Sequence, residues 1–126
     1  MTDKINSELL DDIVQAFVDA SGFVIGQTLD TFRTDKLVGY ATVRALLIVG
    51  EASKGIPAET RSRFPEIPWQ LMADMRNRLV HNCNETPWEI VWNVTTVEIP
   101  KLIDNAKRIR DQLEAEEAQH QTGTPE

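Results

Sequence analysis

DKLVGYATVRALLIVGEASK, residues 35–54, decides the fold. Leu37, Ala41, Ala45, Ile48 and Ala52 recur at helical spacing, and Val43, Leu47 and Val49 widen the stripe. The spacing predicts an amphipathic helix from about Asp35 to Lys54. Gly55 suits the C-cap that follows, and the charge of Lys54 suits the negative end of the helix.

The same period extends outward in both directions. Upstream, Ile5, Leu9, Ile13 and Phe17 recur every four residues with Leu10 and Val14 beside them, leaving Asp11, Asp12 and Asp19 on the wet side. Gly22 and Gly26 blur where this first helix ends. Residues 27–34 read as a connection anchored by Leu29 and Phe32. Downstream, two prolines between Ile56 and Glu66 predict a loop or short turn. A third helix opens at Ile67-Pro68-Trp69, with Pro68 in the first helical position, and continues through Met72, Met75 or Arg76, and Leu79 to about Asn82. A fourth begins at Thr86-Pro87-Trp88-Glu89, which reads as a capping box of Thr86 and Glu89. Its apolar face runs through Trp88, Trp92, Thr95 or Thr96, Ile99 and Ile103, past Pro100, which should kink it or shift its axis. The expected fold is all-α, an antiparallel four-helix bundle over residues 1–112, with an acidic and polar tail, 113–126, expected to be disordered. Phe17, Leu47 and Trp92 are assigned to its core.

Composition bounds what such a bundle does. The 126 residues suffice for one domain, and 41% hydrophobic with 26% charged residues is ordinary for a water-soluble one. No apolar run is long enough to span a membrane, and the opening MTDKINSELLDD lacks an apolar signal core. The single cysteine, Cys83, excludes an internal disulfide and fits a reducing compartment, so a cytoplasmic location is expected. A net charge of −7 argues against broad, nonspecific nucleic-acid binding. That charge is uneven: residues 111–126 carry −5, while residues 52–82 carry +2 through Lys54, Arg61, Arg63, Arg76 and Arg78. The balance leaves room for a small phosphate site but not for a long electrostatic groove.

The chemistry concentrates in Met75-Arg76-Asn77-Arg78-Leu79-Val80-His81. A guanidinium that pairs with a phosphate, beside an imidazole that titrates near neutrality, can cleave RNA without a metal. The other histidine, His120, lies in the polar tail. No His, Cys or carboxylate cluster has metal-ligand spacing, so neither metal nor cofactor is expected. An Arg five residues before a His is common by chance, and from the residues alone a water-exposed helix-end His with an Arg in a surface ion pair to Asp74 or Glu66 is the stronger reading. Positions five apart also diverge by about 140° and about 7.5 Å along an ideal helix, whereas Asn77 and His81 share a face. Two routes bring Arg76 and His81 to one phosphate. The helix loosens near His81, or two chains pair about a two-fold axis around one cleft.

Several blocks together resemble the HepT type of the HEPN superfamily: Val43 to Ala52, Pro65 to Trp69, Met75 to His81, and Val91-Trp92, in that order, with Ile99 to Leu102 similar to that family's closing helix. The resemblance covers roughly residues 8–110 and implies a dimerising four-helix HEPN bundle. It implies a metal-independent ribonuclease, the toxin of a toxin–antitoxin pair whose partner is a minimal nucleotidyltransferase antitoxin. The family's catalytic pair falls on Arg76 and His81, its following polar residue on Asn77, and its acidic cleft position on Glu51. Arg44 lies two turns before Glu51 on the same face, and an ion pair between them is expected. The family motif continues His-x-Tyr, and the antitoxin adenylylates that Tyr; here the position is Cys83. The expected function is RNA cleavage to 2′,3′-cyclic phosphate and 5′-hydroxyl ends. The alternatives are a catalytically inactive HEPN module that binds a nucleotide or partner, and a plain scaffolding bundle.

Overall fold

The computed structural model describes residues 4–81 and 85–122, with side chains to residue 120. Its elements are α1 (Asn6–Phe23), α2 (Leu29–Thr34), α3 (Lys36–Gly55), α4 (Ala58–Arg63), α5 (Trp69–His81), α6 (Trp88–Asn93) and α7 (Ile99–Thr122), with a π-helical segment, Val94–Glu98, between the last two. There is no strand among the described residues. The protein is an all-α bundle in which α1 packs against α3 and α7, and α3 also packs against α5. The stripe residues Leu10, Ile13, Val14 and Phe17 of α1 share one core with Ala45, Leu46 and Val49 of α3 and with Ala106 and Ile109 of α7. Each large apolar side chain buried this way stabilises the fold by roughly 1.5–3 kcal/mol. Leu47 and Trp92, expected inside, are half-buried at its margin, while Phe17 is fully enclosed.

The expected connection at residues 27–34 contains a short helix. Thr28 caps it by accepting a hydrogen bond from the Thr31 backbone N–H at 3.2 Å, and Phe32 projects into the core. There Phe32 meets Trp88 edge-on at 5.6 Å and Trp92 at 5.2 Å, fastening α2 to α6. Asp35 then caps α3, its carboxylate accepting from the Val38 N–H at 3.1 Å. The proline-bearing stretch after α3 likewise holds a short helix, α4.

Two expectations about the last helix need correction. Thr86 does not cap it: Pro87 occupies the N-cap position without a side-chain bond, and the Glu89 carboxylate is taken instead by Arg33 of α2. The disruption expected at Pro100 takes the form of a π turn just upstream, Val94–Glu98. Proline has no N–H to donate and its ring crowds the preceding turn, so a widened turn lets the helix continue without a break.

The disorder expected from residue 113 gives way to helix as far as Thr122. Helix α7 continues to Thr122 because its polar surface finds partners. Leu113 is buried, Glu117 accepts hydrogen bonds from the backbone and hydroxyl of Ser7, and Glu116 takes both guanidinium nitrogens of Arg63 at 2.8 and 3.1 Å. Arg63 therefore holds the Glu116 carboxyl below its ordinary range, with Gln112 adding to the effect. Residues 123–126 lie outside the described part of the chain.

Candidate active site

The close approach of α3 to α5 shapes this region. Gly50 has no side chain, and a Cβ built there would lie 2.2 Å from the Cβ of Arg76, 2.8 Å from its Cγ and 3.1 Å from the carbonyl oxygen of Met72. The stem of Arg76 thus occupies the space where any other residue would place its first carbon. A glycine inside a helix costs about 1 kcal/mol relative to alanine, so an interior glycine usually has a packing reason. That is the signal the sequence carries for Gly50, which enters the sequence reading only within the block Val43 to Ala52.

From this seat the Arg76 guanidinium reaches two neighbours. One terminal nitrogen forms an ion pair with the Glu51 carboxylate at 2.7 Å, and the other donates to the Asn77 side-chain oxygen at 3.1 Å. The Arg76 side chain retains 25% of its exposure, so the cation is partly shielded but still open to an incoming anion. The partner of Glu51 is Arg76, not Arg44 as the two-turn spacing suggested. Arg44 and Glu51 are both exposed, and it is Arg76 of α5 that comes within ion-pair distance of Glu51. Neither acidic partner proposed for Arg76 takes it either: Asp74 accepts from Gln70 at 2.8 Å, and Glu66 is engaged by Arg108. An arginine can only donate, so the Asn77 amide turns its oxygen to Arg76 and its NH₂ outward. Asn77 and His81 are four apart and occupy one exposed face of α5.

Helix α5 remains regular through His81, its last residue, which is exposed. The loosening that would have brought His81 round to Arg76 does not occur within the described residues. The two side chains therefore leave the helix about 140° apart, with Asn77 between them. Arg78, exposed and unpaired with any carboxylate among the described residues, adds a second cation to the outer face. Cys83 lies outside the described residues. Among those described, no cluster of three His, Cys, Asp or Glu could hold a metal ion, and no helix is long and apolar enough to cross a membrane.

This arrangement offers a fixed guanidinium, an outward amide and an open imidazole on one helix. Comparison with known proteins places it in context. A family profile described as "Ribonuclease HepT-like" matches residues 7–109. The chain is 34% identical over 107 residues to the probable ribonuclease HepT of Thermococcus cleftensis, spanning 85% of this chain and 97% of that protein. It is 32% identical over 106 residues to a Methanocaldococcus jannaschii protein named as a candidate RNase, covering 84% of this chain and 88% of that one. A candidate RNase of Caldanaerobacter subterraneus is 36% identical over 86 residues, 68% of this chain and 77% of its own length. No solved structure matches the chain.

Proposed function

The chain belongs to the HepT-like ribonuclease family, and from that premise we propose that it is a metal-independent endoribonuclease whose catalytic residues are Arg76 and His81. The reading rests above all on the setting of Arg76: a partly shielded guanidinium, held by Glu51 and Asn77, on the helix that ends at an open histidine. The substrate's 2′-hydroxyl attacks the adjacent phosphorus. His81 takes the hydroxyl proton or returns one to the departing 5′-oxygen, and Arg76 stabilises charge on the pentacoordinate phosphate. The products are a 2′,3′-cyclic phosphate and a 5′-hydroxyl.

The divergence of Arg76 and His81 along a regular helix favours a homodimer, in which two copies of α5 face one another across a shared cleft. Exposed Val80, one turn beyond Arg76 on α5, supports this as apolar surface next to the site. The protein acts in the cytoplasm as the toxin of a two-gene system, held in check by a minimal nucleotidyltransferase antitoxin. With Cys83 at the family's modified tyrosine position, that control works through binding rather than adenylylation.

The test is incubation of the purified protein with total cellular RNA in EDTA, alongside Arg76→Ala and His81→Ala. Defined fragments with cyclic-phosphate ends, absent with both variants, are the expected result. An inert wild-type chain would replace this reading with a module that binds a nucleotide or partner without cleaving.

A further inference from the structure

We propose that Gly50, together with Glu51 beside it, is a positioning residue for Arg76. This rests on Arg76 being the phosphate-binding cation of the site. Gly50 lets α3 close onto α5, and Glu51 then takes the guanidinium that this approach brings within reach. The two adjacent residues set the two ends of one side chain: Gly50 its stem, Glu51 its head.

The argument turns on which atom Gly50 faces. A clash with the tip of a flexible side chain is relieved by a new rotamer. The atom 2.2 Å away here is the Cβ of Arg76, which no rotation of its own side chain can move, and after the Arg76 Cγ at 2.8 Å the third obstacle is the backbone oxygen of Met72 at 3.1 Å. An alanine at position 50 can be fitted only by moving α5 away from α3. Ordinary contact begins near 3.4 Å, so the shift is about an ångström. A displacement of that size at a reacting centre can cost roughly 100-fold in rate. Another glycine of α3 supplies the control. A Cβ at Gly39 would meet the Trp88 ring at 2.9 Å, a contact also too close to tolerate but made to a different helix.

The experiment compares Gly50→Ala, Gly39→Ala, Glu51→Ala, Arg76→Ala and the double variant Gly50→Ala/Arg76→Ala. Each is assayed per folded molecule for cleavage of total cellular RNA. Gly50→Ala should lose roughly 100-fold in rate, Gly39→Ala should stay within about threefold of wild type, and the double variant should be no slower than Arg76→Ala alone. Non-additivity is the signature of a residue acting through Arg76, whereas an independent structural defect would add its own loss. The Nε–Hε NMR signal of Arg76, assigned by its disappearance in Arg76→Ala, should move in Gly50→Ala and not in Gly39→Ala. Cleavage near the wild-type rate by folded Gly50→Ala, additive losses, or an unmoved Arg76 signal would overturn the proposal. Should Gly50→Ala fail to fold, Glu51→Ala decides, because Glu51 is exposed and its removal leaves packing intact. It should slow cleavage roughly tenfold and not add to Arg76→Ala, and a rate equal to or above wild type would overturn the proposal. If the wild-type chain cleaves no RNA, the functional reading falls, while the NMR comparison still decides whether Gly50 sets Arg76.

Discussion

The two ends of α3 use one device for opposite purposes. Near its start, Gly39 opens a space that the Trp88 ring fills, and Phe32 packs against Trp88 and Trp92 beside it. Near its end, Gly50 opens a space that the stem of Arg76 fills, and the charged head emerges beside Glu51. At the first end the missing Cβ lets apolar surface be buried, so its value lies in stability. At the second it seats a cation that keeps a quarter of its exposure, so on the proposed function its value lies in chemistry. A close helix approach reveals where tight packing is needed, and the residue on the other side reveals why.

The contrast is most exposed at its two strongest points. Phe32→Ala should cost about 3–5 kcal/mol of stability, since it empties a fully buried aromatic site. Cleavage per folded molecule should be unaffected, and chemical denaturation read alongside the RNA assay checks both. Arg76→Ala should do the reverse, losing roughly 100- to 1,000-fold in cleavage, or about 3–4 kcal/mol of transition-state stabilisation. Its unfolding midpoint should hardly move, because a partly exposed ion pair contributes little to folding. If Phe32→Ala slowed the chemistry, or Arg76→Ala unfolded the chain, the two ends would not be separable.

The sequence made one half of this contrast easier to read than the other. The stripes of α1, α3 and α5 were legible because each runs for several turns, long enough for the 3.6-residue period to declare itself. The six-residue helices α2 and α4 look like connections in the sequence because fewer than two turns carry no period. The far part of α7 is not legible because Glu116 and Glu117 look solvated in sequence, while their partners Arg63 and Ser7 are more than 50 and 100 residues away. Arg76, Asn77 and His81 could be singled out by residue type and spacing. That Glu51 pairs with Arg76 rather than Arg44 could not, because helical spacing ranks only partners on the same helix, and this pair joins two.

A smaller effect tests whether Gly39 belongs wholly to the packing end. Gly39→Ala should lower stability by about 1–3 kcal/mol, the usual penalty for forcing a methyl into a filled core. The smaller side chain of Trp88→Leu should restore part of that loss, since the methyl at position 39 then no longer meets the indole ring. Thermal melts of the two single variants and the double variant decide it, and strict additivity would show that Gly39 and Trp88 are not the coupled pair the distance implies.

The smallest effect lies at the far end of the molecule, where α7 is held by pairs of exposed charges. The Arg63 guanidinium lowers the Glu116 carboxyl below its ordinary value of 4.5, so the folded state favours the ionised form more than the unfolded chain does. The sign follows directly: this contribution is present above the unfolded value and is lost as pH falls through the lower folded one. Wild type should therefore lose a little stability on acidification below about pH 4.5 that Glu116→Gln, lacking the titration, does not lose. Both side chains are more than 40% exposed, so solvent and salt screen the pair, and the difference should shrink as salt is added. Above that range Glu116→Gln should cleave RNA like wild type. The pair ties α7 to α4, and neither element carries Gly50, Glu51, Arg76 or His81. A change in cleavage with this variant would mean that the stability of α7 reaches the site after all, and that the separation seen along α3 does not extend to the whole bundle.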